Sequence, residues 1–302
     1  MNTSVSLTDK LAFKNPLLSA SGTFAYGEEF SEFFDLGILG GIITKGLSLE
    51  PKEGNPSPRV AETHCGMINS IGLENIGIPS FLKEKLPFLL NYDTNIIVNF
   101  FGTTEEEYMR AAQALDKSGI SALEMNVSCP NVSKGGIEFG RDPEGLYALV
   151  KKVRSACGKT LIIKLSPMVT DIVAIAQAVK EARADAVTCS NTLPAMLVDE
   201  KTKRPVLGNI TGGLSGPAIK PITLKIVWDV FRNVKIPIIA SGGITSARDV
   251  IQFMLVGATA VQIGTAALRD PLCYLTIMDD IKTYMAENCI QELSEIIGTL
   301  ET

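Results

Sequence analysis

Eight short apolar runs, separated by segments of helical character, span nearly the whole chain, and this alternation restricts the folds open to it. The runs cover residues 17–20, 41–46, 95–100, 120–123, 160–167, 184–192, 236–241 and 259–263. Each is too short for a core helix and rich in Ile, Val and Leu, as expected of strands buried on both faces. Between them lie helical segments at residues 30–36, 78–90, 105–117, 142–156, 171–182, 217–234 and 246–256. Asp142 suits the cap of the fourth of these, with Pro143 at its first position, and Thr245 suits the cap of the last. Residues 49–59, 69–75 and 193–215 are expected to be loops, carrying Pro51, Pro56, Pro58, Gly72, Gly208, Gly212 and Gly213. Eight strands in strict alternation, with no linker or shift of composition, predict a single (β/α)8 TIM barrel occupying residues 1–302 as one domain. An open doubly wound sheet is the alternative. The glycines do not form G-x-G-x-x-G after the first strand, which weighs against it.

Composition narrows the function. The 302 residues are 46% hydrophobic and 20% charged, which suits a large core and leaves little room for long disorder. A net charge of −5 argues against a nucleic-acid partner. No run is long enough to span a bilayer and residues 1–10 do not resemble a signal peptide, so no membrane partner is expected and the expected compartment is the cytoplasm. The six cysteines (Cys65, Cys129, Cys157, Cys189, Cys273 and Cys289) contain no C-x-x-C pair, so no metal site is expected. His64 is the only histidine. A multi-histidine metal site is therefore excluded, and His64 itself reads as a loop residue.

Polar residues fall at the strand ends. Lys45, Asn99, Asn126, Lys164 and Asn191 each sit at or near the C-terminal end of an apolar run. In a barrel those ends form one mouth, where active sites lie. The last two strands end in Ser241-Gly242-Gly243 and Gly264-Thr265, positions suited to cradle a phosphate. After the fourth strand comes Ser128-Cys129-Pro130-Asn131 and then a loop, Ser133 to Gly136, placing a thiol among amides at the mouth. Cys129 reads as a nucleophile or general base, against the commoner role of a packed core cysteine. Two lysines, several amides and a phosphate cradle suit flavin mononucleotide (FMN): amides can bond the edges of a flat heterocycle, and lysine can offset negative charge on it.

Three motifs carry a resemblance. Asn126-Val127-Ser128-Cys129-Pro130-Asn131, Asn69-Ser70-Ile71-Gly72-Leu73, and Gly212-Gly213-Leu214-Ser215-Gly216-Pro217-Ala218 with Ser241-Gly242-Gly243-Ile244 resemble the dihydroorotate dehydrogenases over nearly the whole chain. Cys129 resembles class 1, where the membrane-bound class has serine. The segments from Ser19 to Gly27 and from Asn209 to Gly213 look like the 1B subclass. The resemblance implies oxidation of dihydroorotate to orotate in pyrimidine biosynthesis, with Cys129 as the base and hydride passing to one FMN per chain. It implies Lys45, Asn69, Ser70, Ile71, Gly72, Leu73, Asn126, Asn131, Asn191 and Thr192 at the substrate. Ser21, Lys45, Gly46, Asn99, Asn126, Lys164, Ser190, Gly216, Gly242, Gly243, Gly264 and Thr265 would hold FMN, and the loop from Ser133 to Gly136 would be a lid. It also implies an NAD-linked partner subunit carrying FAD and a [2Fe–2S] cluster, joined to a homodimeric core as a heterotetramer. The rivals are a fumarate-dependent relative of class 1A, a Schiff-base aldolase using Lys164 or Lys45, and a flavin-binding protein without catalysis.

Overall fold

The computed structural model describes residues 1–127 and 137–302, without the side chains of residues 137 and 138. The expected strands all form: β1 (Leu17–Ser19), β2 (Gly41–Ile43), β3 (Asn95–Phe100), β4 (Ala122–Asn126), β5 (Thr160–Lys164), β6 (Ala186–Cys189), β7 (Ile238–Ser241) and β8 (Ala260–Ile263). They pair in parallel in sequence order and close into an eight-stranded barrel, β8 meeting β1 through Val261 opposite Leu17. All eight are buried throughout except for the first residue of β3, so their backbone polar groups must be satisfied by one another.

Around the barrel lie the longer helices α1 (Glu105–Asp116), α2 (Pro143–Ala156), α3 (Ile172–Glu181), α4 (Lys220–Asn233), α5 (Ala247–Leu255) and α6 (Cys273–Glu287). Local chemistry sets their starts. The Thr104, Asp142 and Asp171 side chains accept from backbone N–H groups of the first turns of α1, α2 and α3. The cap of α5 is Ser246 and not Thr245: Thr245 is drawn one residue outside the helix, where its N–H and hydroxyl both donate to Asp249. Helical structure expected over residues 30–36 is limited to Glu28–Ser31 and a 3-10 turn at Leu36–Ile38, the chain between them turning at residues 32–34.

Beyond the alternation lie β additions, among them a short ribbon of Val198–Asp199 with Arg204–Pro205 and two larger elements. An N-terminal hairpin, Val5–Thr8 against Leu11–Phe13, alternates buried and exposed residues and brings Phe13 against the start of β2, at the end of the barrel away from the strand termini. The segments expected as loops instead supply much of a four-stranded antiparallel sheet in the order Leu193–Met196, Thr211–Ser215, Gly66–Asn69, Val60–Thr63. Its pairings join residues far apart in the chain, such as Gly213 with Asn69, so glycine-rich local sequence did not disclose it.

The end of β4, which carries Asn126 to the mouth, is tied to the helix layer. The buried Tyr108 hydroxyl, from α1, donates to the Asn126 carbonyl at 2.9 Å. Tyr108→Phe should lower stability by about 1 kcal/mol, the usual net value of such a bond, read as a shifted urea midpoint with an unchanged slope. An unchanged midpoint would mean that this bond does not tether the strand end.

Candidate active site

At the C-terminal ends of the strands opens a cavity of about 1340 Å³, part of it in open solvent. Strand ends supply its floor: Asn99 from β3, Asn126 from β4, Lys164 from β5 and Gln262 from β8. Loops that follow the strands add Ser21, Lys45, Gly46, Ser190, Asn191 and Thr192. The antiparallel sheet forms a side wall with Asn69, Gly213 and Ser215, continued by Ile71, Gly72 and Leu73. Gly216, Gly242, Gly243, Gly264 and Thr265 line the part near β7 and β8.

Of the described residues expected at substrate or FMN, Ser70 alone is absent from this lining. It is fully buried, and its Oγ has no hydrogen-bond partner among the described residues. Cys129, Asn131 and the segment from Ser133 to Gly136 lie outside the described residues.

Short contacts order the floor. Asn191 Nδ2 donates to Asn126 Oδ1 at 3.4 Å, and the Thr192 N–H donates to Asn191 Oδ1 at 2.7 Å. Lys164 Nζ donates to Gln262 Oε1 at 2.9 Å and to Ser21 Oγ at 3.2 Å. Lys45 Nζ stands 3.8 Å from the Glu74 carboxylate, which Arg59 also holds at 2.7 Å. Beneath the floor lies Glu124, fully buried and bonded by Asn99, Thr188 and Gln262. Glu124, Thr188 and Gln262 were given no role from the sequence. The signal was present: a polar residue inside a strand buried on both faces must find partners.

The glycines near β7 are required by close packing. Gly242 and Gly243 have φ of +138° and +81°, and a Cβ on Gly243 would come within 2.7 Å of the Lys220 backbone at the start of α4. Lys220 in turn donates to Asp249 Oδ1 at 2.6 Å, while Thr245 and Ser246 bond Oδ2 of the same carboxylate. Asp249 thus holds the loop after β7 against α4. Burial pushes its carboxyl up, but the bonds from Lys220 and Thr245 outweigh this and hold it below its ordinary value.

The other described cysteines are poor catalysts. Burial pushes the thiols of Cys157, Cys189 and Cys273 up, the last two to about 12. Cys65 and Cys289 are exposed and lie outside the cavity lining. His64 is exposed, on the turn between Val60–Thr63 and Gly66–Asn69. Among the described residues no group of His, Cys, Asp and Glu could hold a metal, and no helix is long and apolar enough to cross a membrane.

The profile of the dihydroorotate dehydrogenases matches residues 5–285, nearly the whole barrel. The chain belongs to this family. It is 54% identical over 292 residues to a protein of Thermodesulfovibrio yellowstonii named dihydroorotate dehydrogenase B (NAD(+)), catalytic subunit, covering 96% of each chain. Proteins with the same name from Geobacter sulfurreducens and Geotalea uraniireducens are 54% and 52% identical, covering 96% and 97% of this chain and 96% of each relative. Family membership accounts for a barrel whose polar residues gather at one mouth.

Asp249 offers a test of how the loop is held. Because its carboxyl is depressed in the fold, its contribution is full above the ordinary value near 4 and is lost as pH falls through the folded value. Asp249→Asn should cost about 2 kcal/mol at pH 7, and the difference from the parent chain should shrink at lower pH. A difference that is constant from pH 7 to 3 would show that the charge is not what holds the loop.

Proposed function

We propose that this chain is the FMN-binding catalytic subunit of an NAD-dependent dihydroorotate dehydrogenase, a barrel domain over residues 1–302 that oxidises dihydroorotate to orotate in pyrimidine biosynthesis. The observation that carries this reading is the mouth itself: Lys45, Asn99, Asn126, Lys164 and Asn191, from five consecutive strand ends or the loops after them, meet in one cavity with the glycines that follow β7 and β8. The names of the relatives agree with it.

The residues present fit FMN. Asn99 Oδ1 is buried with no hydrogen-bond partner among the described residues, and Asn99 lines the cavity, so an acceptor waits there for a donor such as a flavin ring N–H. Gly242, Gly243 and Gly264 let the chain approach a phosphate closely. Bound FMN supplies a two-electron acceptor for the hydride that leaves C6 of the substrate.

Each remaining task falls to the chain. Cys129 takes the proton from C5; a thiol with an ordinary pKa of about 8.5 needs only a modest shift to act near neutral pH. Lys164, which lines the cavity, would hold FMN and offset the negative charge that its ring gains on reduction. Lys45, Asn69, the stretch from Ile71 to Leu73, Asn126, Asn131, Asn191 and Thr192 hold the substrate ring and its carboxylate, while Ser70, buried behind the lining, supports that stretch. Ser21, Lys45, Gly46, Asn99, Asn126, Ser190, Gly216 and Thr265 complete the FMN site, with the loop from Ser133 to Gly136 as the lid. Electrons leave for NAD through a partner subunit carrying FAD and a [2Fe–2S] cluster, on a dimeric core within a heterotetramer in the cytoplasm. A Schiff-base role for Lys164 is less well supported, because its Nζ is already engaged by Gln262 and Ser21 with Glu124 3.7 Å away.

An anaerobic visible spectrum tests this directly. The purified chain should carry a flavin band that bleaches when dihydroorotate is added. Cys129→Ala should keep the band and bleach about a thousandfold more slowly, within the range of general-base contributions. A chain that cannot be loaded with FMN would overturn the reading. Fumarate-supported turnover by the chain alone would move it to the partner-independent class 1A.

A further inference from the structure

We propose that Glu124 is a positioning residue of the flavin site: its buried carboxylate orients Asn99, counterbalances Lys164, and so sets the relative affinity for oxidised and reduced FMN. This rests on the reading that the mouth binds FMN. Glu124 lies two residues before Asn126 on β4, one layer below the cavity floor, and is 0% exposed. Its partners come from four other strands of the barrel. Asn99 Nδ2 on β3 donates to Oε1 at 2.7 Å, Thr188 Oγ1 on β6 donates to Oε2 at 2.7 Å, and Gln262 Nε2 on β8 also donates to Oε2. Lys164 Nζ on β5 stands 3.7 Å from Oε1, and Gln262 bridges the two, receiving from Lys164 through its own Oε1 at 2.9 Å.

A carboxylate only accepts hydrogen bonds. Facing Glu124, Asn99 must therefore turn its Nδ2 downward, which leaves Oδ1 as the unpartnered buried acceptor noted above. Gln262 is oriented in the same way, its amide nitrogen toward Glu124 and its oxygen toward Lys164. Burying a charge is costly unless it is paired and bonded, and a glutamine of the same shape would avoid that cost. What the carboxylate adds beyond a glutamine is acceptors on both oxygens, which fix Asn99 and Gln262, and a negative charge beside Lys164, screened from water. Negative charge gathers on a flavin as it is reduced, so Lys164 favours the reduced form and Glu124 tempers that preference.

The test is an anaerobic potentiometric titration of the FMN-loaded full chain against a reference dye, with oxidised FMN affinity measured by fluorescence quenching. Glu124→Gln should shift the ratio of reduced to oxidised affinity about tenfold toward reduced FMN, a rise of about 30 mV for a two-electron couple. Glu124→Asp, which keeps the charge, should stay within about threefold of the parent ratio. A purely structural role would weaken both redox forms alike and leave the ratio unmoved, and that result overturns the proposal. If Glu124→Gln does not fold, Thr188→Val decides. It removes one donor that screens the carboxylate, and the ratio should move about threefold the other way; an unmoved ratio again overturns the proposal. A parent chain that takes up no FMN would instead bring down the functional reading itself.

Discussion

Closure of the parallel barrel is the constraint on which the other features depend. With β8 paired to β1 there is no sheet edge among the barrel strands, and each strand is satisfied on both sides by its neighbours. Helices cover the outer face and the N-terminal hairpin packs Phe13 at the far end, against the start of β2. Polar side chains pointing inward can reach a ligand or water only at the C-terminal mouth. The lysines and amides therefore concentrate there, while the inward positions two residues before Asn99, Glu124 and Lys164 are filled by Ile97, Ala122 and Ile162.

Glu124 departs from that layering. It is charged, fully buried and set below the mouth, and it is tolerated because Asn99, Thr188, Gln262 and Lys164 surround it. In strand order, β3, β4, β5, β6 and β8 all contribute to one network. The floor of the cavity is therefore a connected polar layer whose donors and acceptors are fixed in direction, not a set of independent contacts. Such a layer is preorganised, which is the condition for electrostatic stabilisation without reorganisation at the moment of reaction.

Much of this was legible in the chain alone, though unevenly. The barrel strands were visible because runs such as Asn95–Phe100 and Thr160–Lys164 are short, apolar and bounded by turn residues. The lysines and asparagines at their ends stood out against that background. The antiparallel wall was not visible: Thr211–Ser215 reads as a glycine-rich loop until it lies between Leu193–Met196 and Gly66–Asn69. The start of α5 was misplaced by one residue because Thr245 and Ser246 are both good caps, and only the position of Asp249 separates them.

What the sequence determined by itself is the alternation, the order of the strands and the types of side chain at their ends, since these follow from local periodicity and composition. What only the tertiary structure decided is which of those side chains meet. Asn99, Glu124, Lys164, Thr188 and Gln262 are spread over more than half the chain, yet lie within bonding reach of one another or of a shared partner. The physical reason is that strand register and barrel closure set the distances between such residues, and both depend on pairings between segments distant in the sequence.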